Sequence, residues 1–142
     1  MESTRKTSRK RQAILELLRS TGEHPPAEWL YSRLKIEFPD LSLGTVYRNL
    51  SMFRKDGDVT VVATVDGNER YDWNIEPHAH FICENCGKVA DVGMQGRQEH
   101  VYEEIRRNTG HCADWHSLNF FGECSDCIFT KSVQLSPSDN RL

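Results

Sequence analysis

Two Cys-x-x-Cys pairs, Cys83/Cys86 and Cys124/Cys127, are separated by 37 residues and limit what this chain can fold into more than any other feature. A two-residue spacer lets one tight turn aim both sulfurs at one ion, and Gly87 after the first pair suits such a turn. Together the pairs supply the four thiolates of a closed tetrahedral zinc site, structural rather than catalytic because no coordination position stays open. The gap between them can hold a strand, a helix and a returning strand. One zinc would then tie both ends of a small α/β domain that needs the metal to stay folded. A redox-active dithiol is the alternative, but no thioredoxin-like βαβ pattern surrounds either pair. Four of five cysteines used this way place the protein in a reducing compartment, the cytoplasm, rather than among disulfide-bonded chains. Cys112 is left over and reads as a small buried or half-exposed thiol.

Just before the first pair stand His78 and His80, which alternate at the strand period so that both imidazoles leave one face of an extended segment. With Asp91 shortly after, they form a mixed nitrogen and oxygen set that suits iron or manganese better than the thiolates do. By spacing alone the two histidines are as readily ordinary strand residues. Asp72 and Asp91 also read as surface carboxylates, and His24 as an isolated loop histidine before Pro25.

The net charge of −3 hides a polarity. Residues 1–55 hold eleven Lys/Arg against six Asp/Glu, and the remainder seven against fifteen. A basic front half on an acidic rear half points to a polyanion-binding module joined to something else, or to solvated charge on a helical domain. No apolar run is long enough to span a membrane. The polar, basic N-terminus also lacks the apolar stretch of a secretory signal.

Arg5, Lys6, Arg9, Lys10 and Arg11 form a basic arm leading into a first helix, with Ser8 as its N-cap and Ile14, Leu17 and Leu18 as its apolar stripe up to Gly22. Pro25-Pro26 opens a second helix with Ala27, Leu30 and Leu34 inward, and Pro39 closes the turn. Ser42 caps a third helix. There Leu43, Val46, Leu50 and Phe53 share one side, Thr45, Arg48, Met52 and Lys55 the other, and Tyr47 the flank. An exposed face of Arg, Tyr and small polar residues suits entry into a major groove. A hairpin of Val59–Val65, a turn at Asp66-Gly67-Asn68 and a return over Glu69–Trp73 completes a winged helix-turn-helix. A helical domain that binds protein is the other reading of the same pattern.

Asn74–Pro77 reads as a linker. Beyond it, strands are expected at Ala79–Glu84, Lys88–Val92 and Ser117–Gly122 and a helix over Gln95–Asn108. Ser132–Leu142 is polar and expected to be loosely ordered. The fold class is therefore α+β: a winged helix-turn-helix domain over 1–73, a hinge at 74–77, and a metal-binding α/β domain over 78–142 stapled by the four-cysteine zinc site.

Thr45-Val-Tyr47-Arg48-Asn49-Leu50, the run His78-x-His80-x-x-Cys83-x-x-Cys86-Gly87 and the late Cys124-x-x-Cys127 together resemble the ferric uptake regulator family over almost the whole chain. The resemblance implies a homodimeric cytoplasmic repressor on a palindromic promoter operator of double-stranded DNA, with one structural Zn2+ and one regulatory Fe2+ or Mn2+ per subunit. The peroxide-responsive branch fits best. Its regulatory site of three histidines and two aspartates matches His24, Asp72, His78, His80 and Asp91, whereas the iron-uptake branch commonly has Glu at the two Asp positions. A further metal site of some members would fall on Ala79, Gln98 (beside Glu99) and His116, and is read as absent, with His116 structural.

The resemblance also implies a mechanism. A metal held by residues on both sides of the hinge would set the angle between domains, and with it the fit of two recognition helices to successive turns of DNA. Peroxide would react at ferrous iron and oxidise His24 or His78, releasing DNA. Manganese would hold the repressing shape without that chemistry. The protein is then a sacrificial sensor and not an enzyme. Tyr47, Arg48 and Thr45 are the expected major-groove face, and Lys6 and Arg11 the phosphate or minor-groove contacts. An iron- or manganese-responsive repressor without peroxide sensing is the main rival. A zinc hydrolase would need a motif such as His-Glu-x-x-His and would leave the basic arm without a role. A zinc-stapled protein-interaction module is the third reading.

Overall fold

The structure, a computed structural model, describes residues 2–93 and 98–135, and only the backbone at residues 2–8, 98 and 135. It divides into two compact units, Met1–Glu76 and Pro77–Leu142. No helix among the described residues is long and apolar enough to cross a membrane.

The first unit holds α1 (Glu2–Ser20), α2 (Ala27–Glu37), α3 (Leu43–Asp56) and the hairpin β1 (Thr60–Val65) and β2 (Asn68–Asp72). The first helix begins earlier than its capping signal implies. Ser8 lies inside it, and the basic arm is its opening turns. Nothing in residues 2–7 breaks a helix, so the cap motif there is idle. Pro26 stands at the N-cap of α2, and Ala27, Leu30 and Leu34 are buried, as the apolar period predicts. The Ser42 side chain accepts from the Thr45 N–H to cap α3, and Gly57, in the left-handed region, ends it. Val46, Leu50 and Phe53 of α3 join Ile14, Leu18, Leu30, Leu34, Leu41, Val59 and Tyr71 in one core. Leu17 and Leu43 lie at its margin rather than inside. Asp66 and Gly67 both take positive φ, 51° and 79°, the pair of values that a two-residue turn needs to match the twist of a hairpin.

The second unit holds β3 (Ala79–Cys83), β4 (Val89–Val92), α4 (Gln98–Thr109), β5 (Leu118–Gly122) and α5 (Ser125–Leu135). Its sheet runs β4-β3-β5, antiparallel between β3 and β4 and parallel between β3 and β5. The connection from β4 to β5 includes α4, as a parallel pair requires a crossover. One expectation fails here. Ser132–Leu135, read as loosely ordered tail, belongs to α5, and residues 136–142 lie outside the described residues. The signal was present: Ser125-Asp126 opens a helix and Ile128, Phe129 and Val133 recur at helical spacing.

Candidate functional site

Strand and turn place the four cysteines in the second unit. Cys83 ends β3 and Cys86 sits in the turn before β4. Cys124 follows β5, and Cys127 lies in the first turn of α5. The knuckle at the first pair is closed by Gly87 N–H to Cys83 O at 2.9 Å and Cys83 N–H to Lys88 O at 2.8 Å, with Gly87 at φ 77°. The four sulfurs lie within 4.8 Å of one another. Cys83 to Cys127 is 3.8 Å and Cys86 to Cys124 is 3.7 Å. A tetrahedron of Zn–S bonds near 2.3 Å has sulfur–sulfur edges of about 3.8 Å, so the set fits zinc.

Hydrogen bonds tune the sulfurs unequally. Cys83 accepts from the Cys86 N–H at 3.4 Å and the Cys124 N–H at 3.3 Å. These donors hold its thiol well below the ordinary range, at about 6. At Cys127 the Asn85 amide, 3.2 Å from the sulfur, favours the thiolate, but the crowd of neighbouring thiols and burial outweigh it and push the group up to about 12. Asn85 is a partner that cysteine spacing does not reveal. Its place inside the Cys-x-x-Cys turn is the signal that identifies it.

A second group sits on the same sheet. The register pairs His80 of β3 with Asp91 of β4. His80 Nε2 lies 3.3 Å and His78 Nε2 3.0 Å from Asp91 Oδ1, and the two rings are 4.3 Å apart. One carboxylate therefore faces two imidazoles on one side of the strand.

The first unit has a comparable pair. His24, in the loop before α2, is 4% exposed and Asp72, at the end of β2, 2%. Their Nδ1 and Oδ2 atoms are 3.5 Å apart, and Asp72 Oδ1 accepts from the Asn74 N–H at 2.9 Å. A buried carboxylate of this kind needs a cation or hydrogen-bond donors around it. His24 also takes φ 50°, unusual for a residue with a side chain. The loop around it is held by Arg70, which sequence reasoning passed over. Arg70 and Asp72 stand two apart on a strand and so share a face.

On α3, Tyr47, Arg48 and Met52 are exposed and Thr45 half-buried. Arg48 Nη2 donates to Thr45 Oγ1 at 3.0 Å, and Thr45 Oγ1 lies 2.8 Å from Ser42 Oγ, so a three-residue network tethers the guanidinium to the start of the helix. Arg11 lies across the Phe53 ring and reaches Asp56 at 3.2 Å. The Lys6 side chain lies outside the described residues. His116 accepts or donates with the Tyr102 hydroxyl through Nδ1. Cys112 is exposed, and no metal-binding cluster among the described residues includes it or His116.

The family model described as the Ferric uptake regulator family matches residues 2–121. The peroxide operon regulator of Bacillus subtilis is 39% identical over 117 residues, covering 82% of this chain and 80% of that protein. The peroxide-responsive repressor PerR of Staphylococcus aureus is 37% identical over 121 residues, covering 82% and 78%. Among solved structures, the peroxide stress regulator of Campylobacter jejuni superposes with a TM-score of 0.74 at 27% identity, over 89% of this chain and 94% of that one.

Proposed function

The chain belongs to the ferric uptake regulator family, and on that premise we propose that this metal-dependent transcriptional repressor senses peroxide through oxidation of a histidine ligand. Residues 1–73 are the DNA-binding domain, 74–77 the hinge and 78–142 the dimerisation domain. Zinc occupies Cys83, Cys86, Cys124 and Cys127. The regulatory ion, Fe2+ or Mn2+, takes His24 and Asp72 from the first unit and His78, His80 and Asp91 from the second. The observation that carries the reading is that each unit holds its own histidines against its own aspartate. Neither half offers enough ligands alone, and three imidazoles with two carboxylates suit iron or manganese.

Iron, when bound, supplies the reductive activation of peroxide; the residues do the rest. The histidines and aspartates fix the ion and with it the relation of the two units, which sets whether paired α3 helices can meet successive turns of a palindromic operator. Tyr47, Arg48 and Thr45 face the bases, and Lys6 and Arg11 the phosphates. Oxidation of His24 or His78 removes one of five ligands and the repressing shape is lost. Each molecule reacts once, so the protein is a cytoplasmic sensor rather than an enzyme.

Peptide mass spectrometry before and after a small excess of hydrogen peroxide tests this. The iron-loaded protein should gain one oxygen on the peptide holding His24 or His78 and release operator DNA, and the manganese-loaded protein should do neither. Iron-loaded protein that keeps both its mass and its DNA would be a metal-responsive repressor without peroxide sensing.

A further inference from the structure

The carbonyls of the backbone around His24 are held by β2. Arg70 Nε donates to the His24 carbonyl, and Arg70 Nη2 donates to the Glu23 carbonyl at 2.9 Å. The next N–H on the strand, that of Tyr71, donates to the Pro25 carbonyl at 3.2 Å. Three consecutive carbonyls are thus gripped by two consecutive strand residues. The gripped segment contains the left-handed φ of His24, a conformation that persists in a side-chain-bearing residue only where its surroundings impose it. Two residues beyond Arg70, on the same face of the strand, Asp72 meets the His24 ring at 3.5 Å.

Resting on the reading that His24 and Asp72 bind the regulatory ion, we propose that Arg70 is the positioning residue of that site. Its guanidinium holds the 23–24 backbone in the left-handed turn, so that the His24 imidazole faces Asp72 before an ion arrives. The planar fork of arginine suits two adjacent carbonyls, and a single ammonium cannot reproduce it. Arg70 does not touch the ion. It acts through the loop, as outer partners of metal sites commonly do.

Manganese titration of the full-length, zinc-loaded protein tests the assignment, using wild type, Arg70→Gln, Arg70→Lys, His24→Ala and the double variant H24A/R70Q. Thermal unfolding is recorded alongside. Arg70→Gln and Arg70→Lys should each bind manganese about ten-fold more weakly or worse, with unfolding temperatures close to wild type and operator binding regained at saturating metal. In the His24→Ala background, Arg70→Gln should change nothing further, since the imidazole that it positions is gone; a merely structural role would cost the same factor there. The proposal is overturned if Arg70→Lys binds like wild type, or if Arg70→Gln costs as much without His24 as with it. Should Arg70→Gln lose its fold, Arg70→Lys and H24A/R70K read the same comparison. His24→Ala at wild-type affinity would instead sink the underlying assignment of His24 as a ligand.

Discussion

At the residue scale, the four cysteines differ in what zinc must do to them. Cys83 receives two backbone N–H groups and its thiol sits at about 6, whereas Cys127 sits at about 12. The direction of the two shifts favours the thiolate at Cys83 and the protonated thiol at Cys127 in the zinc-free chain. Zinc uptake by the reduced, zinc-free chain at pH 7 should release fewer than four protons per ion, read by calorimetry in buffers of different ionisation enthalpy. The sign follows from the direction of the shift. A depressed thiol pKa favours binding above it, and the contribution of Cys83 is lost as pH falls through about 6. Release of all four protons would mean that the donors around Cys83 assemble only after the metal has bound. Asn85 belongs to the same argument: its amide on Cys127 offsets part of the cost of ionising the sulfur crowded by the other three.

At the scale of elements, α3 carries the proposed readout, and its exposed face divides into two kinds of contact. Arg48 is tethered by Thr45 and Ser42 at the helix start, a pre-organised donor for a base edge. Arg48→Ala should weaken operator binding by about 1–3 kcal/mol at one base position of each half-site while leaving the salt dependence unchanged. Arg11→Ala should instead weaken all sequences alike and reduce the slope of log K against log salt by about one. Binding assays over single-base operator variants and a salt series separate them. A uniform loss on Arg48→Ala would move that residue to the phosphates.

The same elements show what sequence can and cannot disclose. Helix α3, its Ser42 cap and the Asp66-Gly67 turn are written in local chemistry, and they form where that chemistry puts them. The end of helix α5 was hidden because Ser132–Leu135 look like part of a polar tail unless Ile128, Phe129 and Val133 are read at helical spacing. His24 looked like a lone loop histidine because what gives it meaning, Asp72 and Arg70, lies more than forty residues away along the chain and meets it only through the fold. By contrast, His78, His80 and Asp91 lie on neighbouring strands of one hairpin, so their association was close to the surface of the sequence.

At the scale of the whole molecule, the two units differ in how far they can stand alone. Among its described residues, the first packs eleven buried side chains from three helices, β2 and the loops flanking α3 into one core. Among the described residues of the second, the buried apolar set is Ala79, Ile82, Cys83, Val89 and Cys124, and two of these are zinc thiols. A core of so few described apolar side chains is the situation in which small domains rely on a metal or a second copy. Meanwhile Phe121 is 61% exposed, Phe129 70% and Trp115 76%, with Ile128, Val133 and Val101 also outward. Phe129 and Val133 lie one turn apart on α5, so they share a face. Apolar exposure on this scale in a small unit marks an interface, and the family premise identifies the occupant as a second copy of the chain. The zinc-loaded protein should therefore run at twice the chain mass in light scattering. A surface position with no interface tolerates a charge within about 0.5 kcal/mol, so Phe129→Glu in a monomer would change little. In the dimer it should halve the mass and lower the unfolding temperature. Stripping zinc with a chelator should also yield monomers, because α5 begins at the ion, with Cys127 in its first turn. A Phe129→Glu protein that stays dimeric would move the interface off α5, and a wild-type monomer would leave the exposed face of the second unit to a different partner.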